Sequence, residues 1–157
     1  MMKTILTLTI VSTVFGFSTA QAQSFTYESK ADTPTVVGGV GPAGQDYVGA
    51  YWTAKTTAKN SDGSITKGKS VCVSMSQPPN SQIFDSHAAC EVTATTGTFS
   101  VVFGCTLINA ETGETSCVGG MAGKTGEFAG RRGNLTSHNK SGTVSYTHLT
   151  LPTIYSV

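Results

Sequence analysis

The chain has 157 residues, of which 12% are charged and 38% are hydrophobic, with 18 glycines and a formal net charge of +1. This length suits one domain of ordinary size. The low charge, with many Gly, Ser and Thr residues, excludes a coiled coil, a helical bundle and a charged disordered tail, which need more Glu, Lys, Ala or Leu. A nucleic-acid binder would carry a basic excess, which is missing here. The composition favours an all-β protein rich in tight turns.

The first 22 residues have the pattern of a secretory signal peptide. Lys3 supplies a positive charge, Thr4–Phe17 is an uncharged and largely apolar run, and Ala20 and Ala22 are the small residues that a signal peptidase accepts. The run is too short for a membrane span, which needs roughly 20 apolar residues. We predict cleavage after Ala22 and a secreted or periplasmic protein, because a leader this short is typical of bacterial export.

The remaining chain shows the period-two alternation of β-strands, separated by turn residues. Phe25 and Tyr27 begin the series, and Thr33–Gly44 is predicted as a loop because it is rich in Gly and Pro. The strands predicted after it are Asp46–Lys59, Ser64–Met75, Ala88–Thr96, Thr98–Ile108, Glu114–Met121, Glu127–Ser137 and Gly142–Tyr146. About eight antiparallel strands in succession most simply close into an up-and-down β-barrel, here one domain over residues 23–146.

Four cysteines, Cys72, Cys90, Cys105 and Cys117, lie in the predicted mature chain. An even number in an exported protein predicts two disulfides; the alternatives are free buried thiols and a zinc site, although the Cys-x-x-Cys spacing of zinc knuckles is missing. Hairpin neighbours would pair Cys72 with Cys90 and Cys105 with Cys117. Strand alternation with a tight turn at Gly97 would instead set Cys90 opposite Cys105, and the sequence leaves both pairings open.

Five residues are candidate ligand contacts. Tyr47, Tyr51 and Trp52 share one predicted strand and could line a cavity, with both tyrosines on the face opposite Trp52; the alternative is core packing. Arg131 and Arg132 would point to opposite faces of a strand, so one of them could enter the barrel and meet an anionic ligand, while the alternative is a solvated face.

Glycines are densest between Gly119 and Gly133, where six of them fall within fifteen residues. A plain strand does not need them, and they serve at bends and close backbone contacts. The stretch resembles the Gly-Gly-Thr-Gly-x-Phe-x-Gly-Ala-x-Gly hairpin of the allene oxide cyclase and dirigent barrels, with Arg131 in place of the usual Ala. The residues that carry the predicted hairpin are Gly120, Gly123, Gly126, Phe128, Gly130 and Gly133.

The resemblance implies an eight-stranded antiparallel barrel around an apolar cavity, whose plant members act mainly by holding a reactive substrate. We therefore expect an exported barrel that binds a small apolar or amphipathic molecule, without cofactor or metal. An isomerase or cyclase is the alternative, and it requires a buried ionisable group in the cavity. The candidates for that group are Asp46, His87, Glu91, Arg131 and Arg132. A structural or surface-interaction protein is a third reading, and it predicts a filled barrel with an exposed apolar patch.

The last residues, Ser145–Val157, resemble a translated sequencing adapter, a tail found at the ends of gene fragments. We predict that residues 147–157 are non-native, in which case the last strand of the barrel is incomplete here. The alternative is a genuine final strand through Leu149 and Leu151, which alternate with polar residues.

Overall fold

The computed structural model describes residues 23–40, 46–76, 83–140 and 143–151, which contain nine strands and one short 3₁₀ turn at Gly126–Phe128. All strand pairings are antiparallel, which confirms the all-β prediction. The predicted signal peptide and residues 152–157 lie outside the described residues. The strands are β1 (Gln23–Ala31), β2 (Thr35–Val40), β3 (Asp46–Asn60), β4 (Ile65–Ser76), β5 (Ser86–Ala94), β6 (Gly97–Asn109), β7 (Glu114–Gly123), β8 (Arg132–Lys140) and β9 (Thr143–Leu151).

The strands form a ring because β1 pairs along both of its edges. Tyr27 is opposite Thr147 of β9 on one side and opposite Ala58 of β3 on the other. From β3 to β9 each strand pairs with its neighbour in the chain. The prediction of an up-and-down β-barrel of about eight strands is confirmed.

β2 prolongs β1 along the same edge of β3. Ala31 is opposite Ala54 and Thr35 is opposite Tyr51, so the first strand carries one extra residue between these pairs, as in a β-bulge. This corrects the loop predicted at Thr33–Gly44 for residues 35–40, while residues 41–44 lie outside the described residues. The β-branched residues at positions 35–37 favour a strand more than the nearby glycines oppose one.

The Gly-rich hairpin between β7 and β8 also differs from its prediction, because β8 begins at Arg132 and not at Glu127. Gly126 has φ +61° and opens the 3₁₀ turn, which ends the extended backbone. A Cβ atom on Gly126 would lie 2.0 Å from the carbonyl oxygen of Thr96. The turn carries Phe128 back onto the barrel core, where its ring centre is 4.8 Å from that of Phe99.

Two disulfides join directly opposed residues of neighbouring strands, Cys72 with Cys90 and Cys105 with Cys117. Their Cα atoms are 4.1 Å and 4.0 Å apart, close to the spacing of non-hydrogen-bonded pairs in an antiparallel sheet. The disulfide prediction is therefore confirmed, and of the two possible pairings the structure has the hairpin neighbours.

β9 pairs with β1 and β8, and Leu149 is opposite both Phe25 and Leu135. A strand therefore runs through Leu149 and Leu151. Every β1–β9 pair is made by residues 147–151, so the predicted non-native tail supplies this edge of the ring. That residues 147–157 are non-native stays a prediction. Among the described residues there is no helix with the length and apolar character required to span a membrane.

We expect the double substitution Cys105→Ala, Cys117→Ala to lower the free energy of unfolding by about 3 kcal/mol, because the disulfide closes a short loop in the unfolded chain. Urea unfolding followed by circular dichroism measures the effect. Peptide mapping of the parent chain without reductant should recover Cys72 linked to Cys90 and Cys105 linked to Cys117, and any other linkage would contradict the pairing.

We expect Gly126→Ala to destabilise the barrel by at least about 3 kcal/mol, because it combines a left-handed backbone with a clash. Gly130→Ala is the matched control: Gly130 has φ +71° but open space around its Cα. Backbone strain alone should cost that control about 1–2 kcal/mol. Equal losses of stability in the two variants would contradict the close contact with Thr96.

Candidate ligand-binding cavity

Alternate residues of β1 and of β3 to β8 face the barrel interior and surround a cavity of about 380 Å³. This volume is within the range of small-molecule sites in proteins. The cavity contradicts one expectation of the structural-protein reading, which required a filled barrel.

One side of the cavity is apolar and is formed by strands β5 to β8. Val92, Val101, Met121 and Leu135 are buried there and pack together, with Phe99, Phe103 and Phe128 against them. We call these seven residues the apolar wall. It offers a ligand a surface without competing hydrogen-bond groups.

The other side of the ring, from β1 to β4, presents hydroxyl groups to the cavity beside the rings of Phe25, Tyr27 and Trp52. We call Ser29, Thr56, Thr66, Ser70 and Ser74 the hydroxyl wall. Ser29 Oγ and Thr56 Oγ1 are 3.3 Å apart, and Asn60 Nδ2 donates a hydrogen bond to Thr66 Oγ1. Ser70 is only 5% exposed, and its hydroxyl forms no hydrogen bond within the described part of the chain.

A polar cluster lies at the end of the cavity where β7 begins and β8 ends. Ser137 Oγ donates to Asn139 Oδ1 at 3.0 Å, and Asn139 Nδ2 donates to Thr115 Oγ1 at 3.1 Å and contacts the disulfide sulfur of Cys117. Unlike Ser70, the side chains of Ser137, Asn139 and Thr115 are already paired with one another. They fix this end of the lining without a ligand.

The aromatic candidates separate by face. Trp52 lines the cavity. Tyr47 and Tyr51 are 46% and 48% exposed and lie outside the lining, because they occupy the other side of the alternating β3. The prediction that all three could reach one cavity is therefore corrected for the two tyrosines.

Neither arginine candidate belongs to the cavity lining. Arg131 precedes β8, where its N–H donates to the carbonyl oxygen of Phe128 and its carbonyl accepts from the N–H of Gly123. Because that backbone forms a turn, the expected alternation of Arg131 and Arg132 does not apply. Arg132 is opposite Ala122 at the start of β8, and its side chain is exposed.

Glu91 and His87, also named for an isomerase, lie outside the cavity lining. Glu91 is on the outer face of β5 and forms an ion pair with Lys124. His87, on the same outer face, packs its ring edge-on against Phe84 at 5.4 Å. Asp46 begins β3. Among the described residues no group of three or more His, Cys, Asp or Glu side chains could hold a metal.

Sequence reasoning missed the hydroxyl wall because β4 does not place its apolar residues inside and its polar residues outside. Its apolar residues Val71, Val73 and Met75 point outward, and Ser70 and Ser74 point inward. A usable signal was Cys72, which shares the face of the two serines. Cys72 pairs with Cys90, and Cys90 lies on the same face of β5 as the buried Val92. The face of β4 that carries Cys72 is therefore the inner one.

No protein-family model, curated protein or solved structure matches the chain. The resemblance of the Gly-rich hairpin to allene oxide cyclase and dirigent barrels therefore stays a prediction.

We expect Ser70→Ala to leave the free energy of unfolding nearly unchanged, because no hydrogen bond is lost. Ser137→Ala is the matched comparison, since Ser137 is as buried as Ser70 but donates to Asn139. It should cost about 1 kcal/mol. Urea unfolding of both ligand-free variants tests this, and a larger loss for Ser70→Ala would reveal a structural role for its hydroxyl.

Proposed function

We propose that the protein binds a small amphipathic molecule inside the barrel. The observation that carries the proposal is the cavity itself, which combines the apolar wall with the hydroxyl groups of β1 to β4 around about 380 Å³. A molecule with one apolar and one polar side would match both walls at once.

The apolar wall provides the driving force. Each square ångström of apolar surface removed from water contributes about 25 cal/mol. Several aromatic rings around one space allow a ligand to bury most of its apolar side, as is typical of small-molecule sites.

Ser70 provides a contact that orients the ligand. Its hydroxyl faces the cavity and forms no hydrogen bond within the described residues, so it is available to a ligand. A hydroxyl, ether or carbonyl group of a ligand against β4 would form a hydrogen bond with it. We therefore expect the polar side of the ligand to face β4 and its apolar side to face the apolar wall.

The two disulfides support binding outside the cytoplasm, because such bonds persist in oxidising compartments. Together with the predicted leader at residues 1–22, they support a secreted or periplasmic binding protein. The resemblance to barrels that act by holding a substrate points the same way. A cyclase gains no comparable support, because His87, Glu91, Arg131 and Arg132 lie outside the cavity lining.

Ala88 and Ala89 offer a matched test of cavity binding. Ala88 is buried and lines the cavity, whereas Ala89 is exposed on the outer face of the same strand. We expect Ala88→Leu to weaken binding of a neutral amphipathic probe, N-phenyl-1-naphthylamine, by about tenfold or more, equal to 1.4 kcal/mol. Ala89→Leu should bind like the parent chain.

Trp52 is the only tryptophan and lines the cavity, so quenching of its fluorescence reports the titration. Denaturant unfolding checks that both variants are folded. Equal affinity of the two variants for the probe would contradict binding inside the barrel.

A further inference from the structure

The outer face of β1, β3 and β4 carries a row of lysines that the cavity does not involve. Lys30 is opposite Lys55, and Lys55 is opposite Lys69, so three ammonium groups follow one another across three adjacent strands. All three side chains are exposed. We call these three residues the basic row; Lys59 is exposed on the same face.

The three lysines of the basic row form no ion pair within the described part of the chain, and the exposed Glu28 and Asp32 lie two residues to either side of Lys30. The ion pairs there involve Lys124, His138 and Lys140, with Glu91 and Glu114 as partners. Like charges directly opposite one another in a sheet oppose its pairing. An external anion that lies across the three strands would remove this repulsion.

An apolar surface continues from the basic row along the same strands. It consists of Val37, Tyr51, Val71, Val73 and Met75, which are between 47% and 74% exposed. We call these residues the apolar patch. Tyr51 is opposite Val73, and Val71 follows Lys69 on the outer face of β4, so the patch and the basic row form one continuous surface.

Because the basic row and the apolar patch lie side by side, they decide between the possible partners of this face. A second copy of the chain would bring one basic row towards another unless the two were offset. A polyanionic chain, such as a nucleic acid or an acidic polysaccharide, would engage the lysines and leave the apolar patch in water. An anionic bilayer offers negative headgroups next to an apolar interior, and aromatic and lysine side chains are well suited to its boundary.

We propose that the outer face of β1–β4 docks on an anionic lipid bilayer. The apolar patch enters the headgroup boundary, and the basic row lies against the anionic headgroups. The contact is peripheral, because the opposite side of the barrel stays in water. It is independent of ligand binding in the cavity.

Vesicle sedimentation tests the proposal with the full chain, expressed for export and recovered as the host processes it. The parent chain should sediment with vesicles of equal parts phosphatidylglycerol and phosphatidylcholine, and far less with phosphatidylcholine alone. Binding should weaken towards 1 M salt, where the screening length is about 3 Å.

Variants then separate the two parts of the surface. The pair Lys55→Gln, Lys69→Gln should weaken binding about 25-fold, since each lysine near an anionic surface contributes about fivefold. The pair Val73→Thr, Met75→Thr should weaken it roughly fourfold or more, the equivalent of one buried methylene. The control substitution Arg132→Gln removes an exposed positive charge from β8, across the barrel, and should bind like the parent.

Two results would overturn the proposal. One is equal sedimentation of the parent and all variants with the anionic vesicles. The other is failure of the parent to bind these vesicles while it is retained on heparin–agarose through Lys55 and Lys69, which would assign the basic row to a polyanionic chain. Circular dichroism of each variant confirms that the barrel is folded.

Discussion

The barrel depends on the double pairing of β1. With β9 on one edge and β3 on the other, this strand converts a row of hairpins into a ring and gives the sheet an inside. The cavity, the burial of Ser70 and the separation of the two faces all follow from that closure. Without it, the apolar wall would be one face of an open sheet, with unpaired strand edges on either side.

Alternation within the ring then assigns each residue to the ligand space or to the outer surface. This assignment does not follow simple polarity. In β4 the serines face inward beside Cys72, while Val71, Val73 and Met75 face outward. The disulfides hold the register that produces this arrangement, because a slip of one residue would move each cysteine away from its partner. One strand, β4, therefore contributes its serines to the cavity and its apolar residues to the outer surface.

Much of this architecture could be predicted from the sequence, because alternation and turn residues are local signals. The strands from β3 to β7 were predicted within about two residues. The start of β8 was missed because the left-handed turn at Gly126 interrupts a stretch that alternates like a strand. For the cavity, alternation set Trp52 apart from Tyr47 and Tyr51. Alternation could not tell whether Trp52 or the two tyrosines face the cavity, because the inward face depends on how the ring closes through strands distant in the sequence.

The pairing of β1 with β9, which closes the ring, also has a consequence for the order of folding. Gln23 is opposite Leu151, so the two strands that complete the ring come from opposite ends of the described chain. Hairpins from β3 to β8 can form from local contacts, but the ring must wait until β9 has been synthesised. During synthesis the nascent chain consequently lacks an enclosed interior.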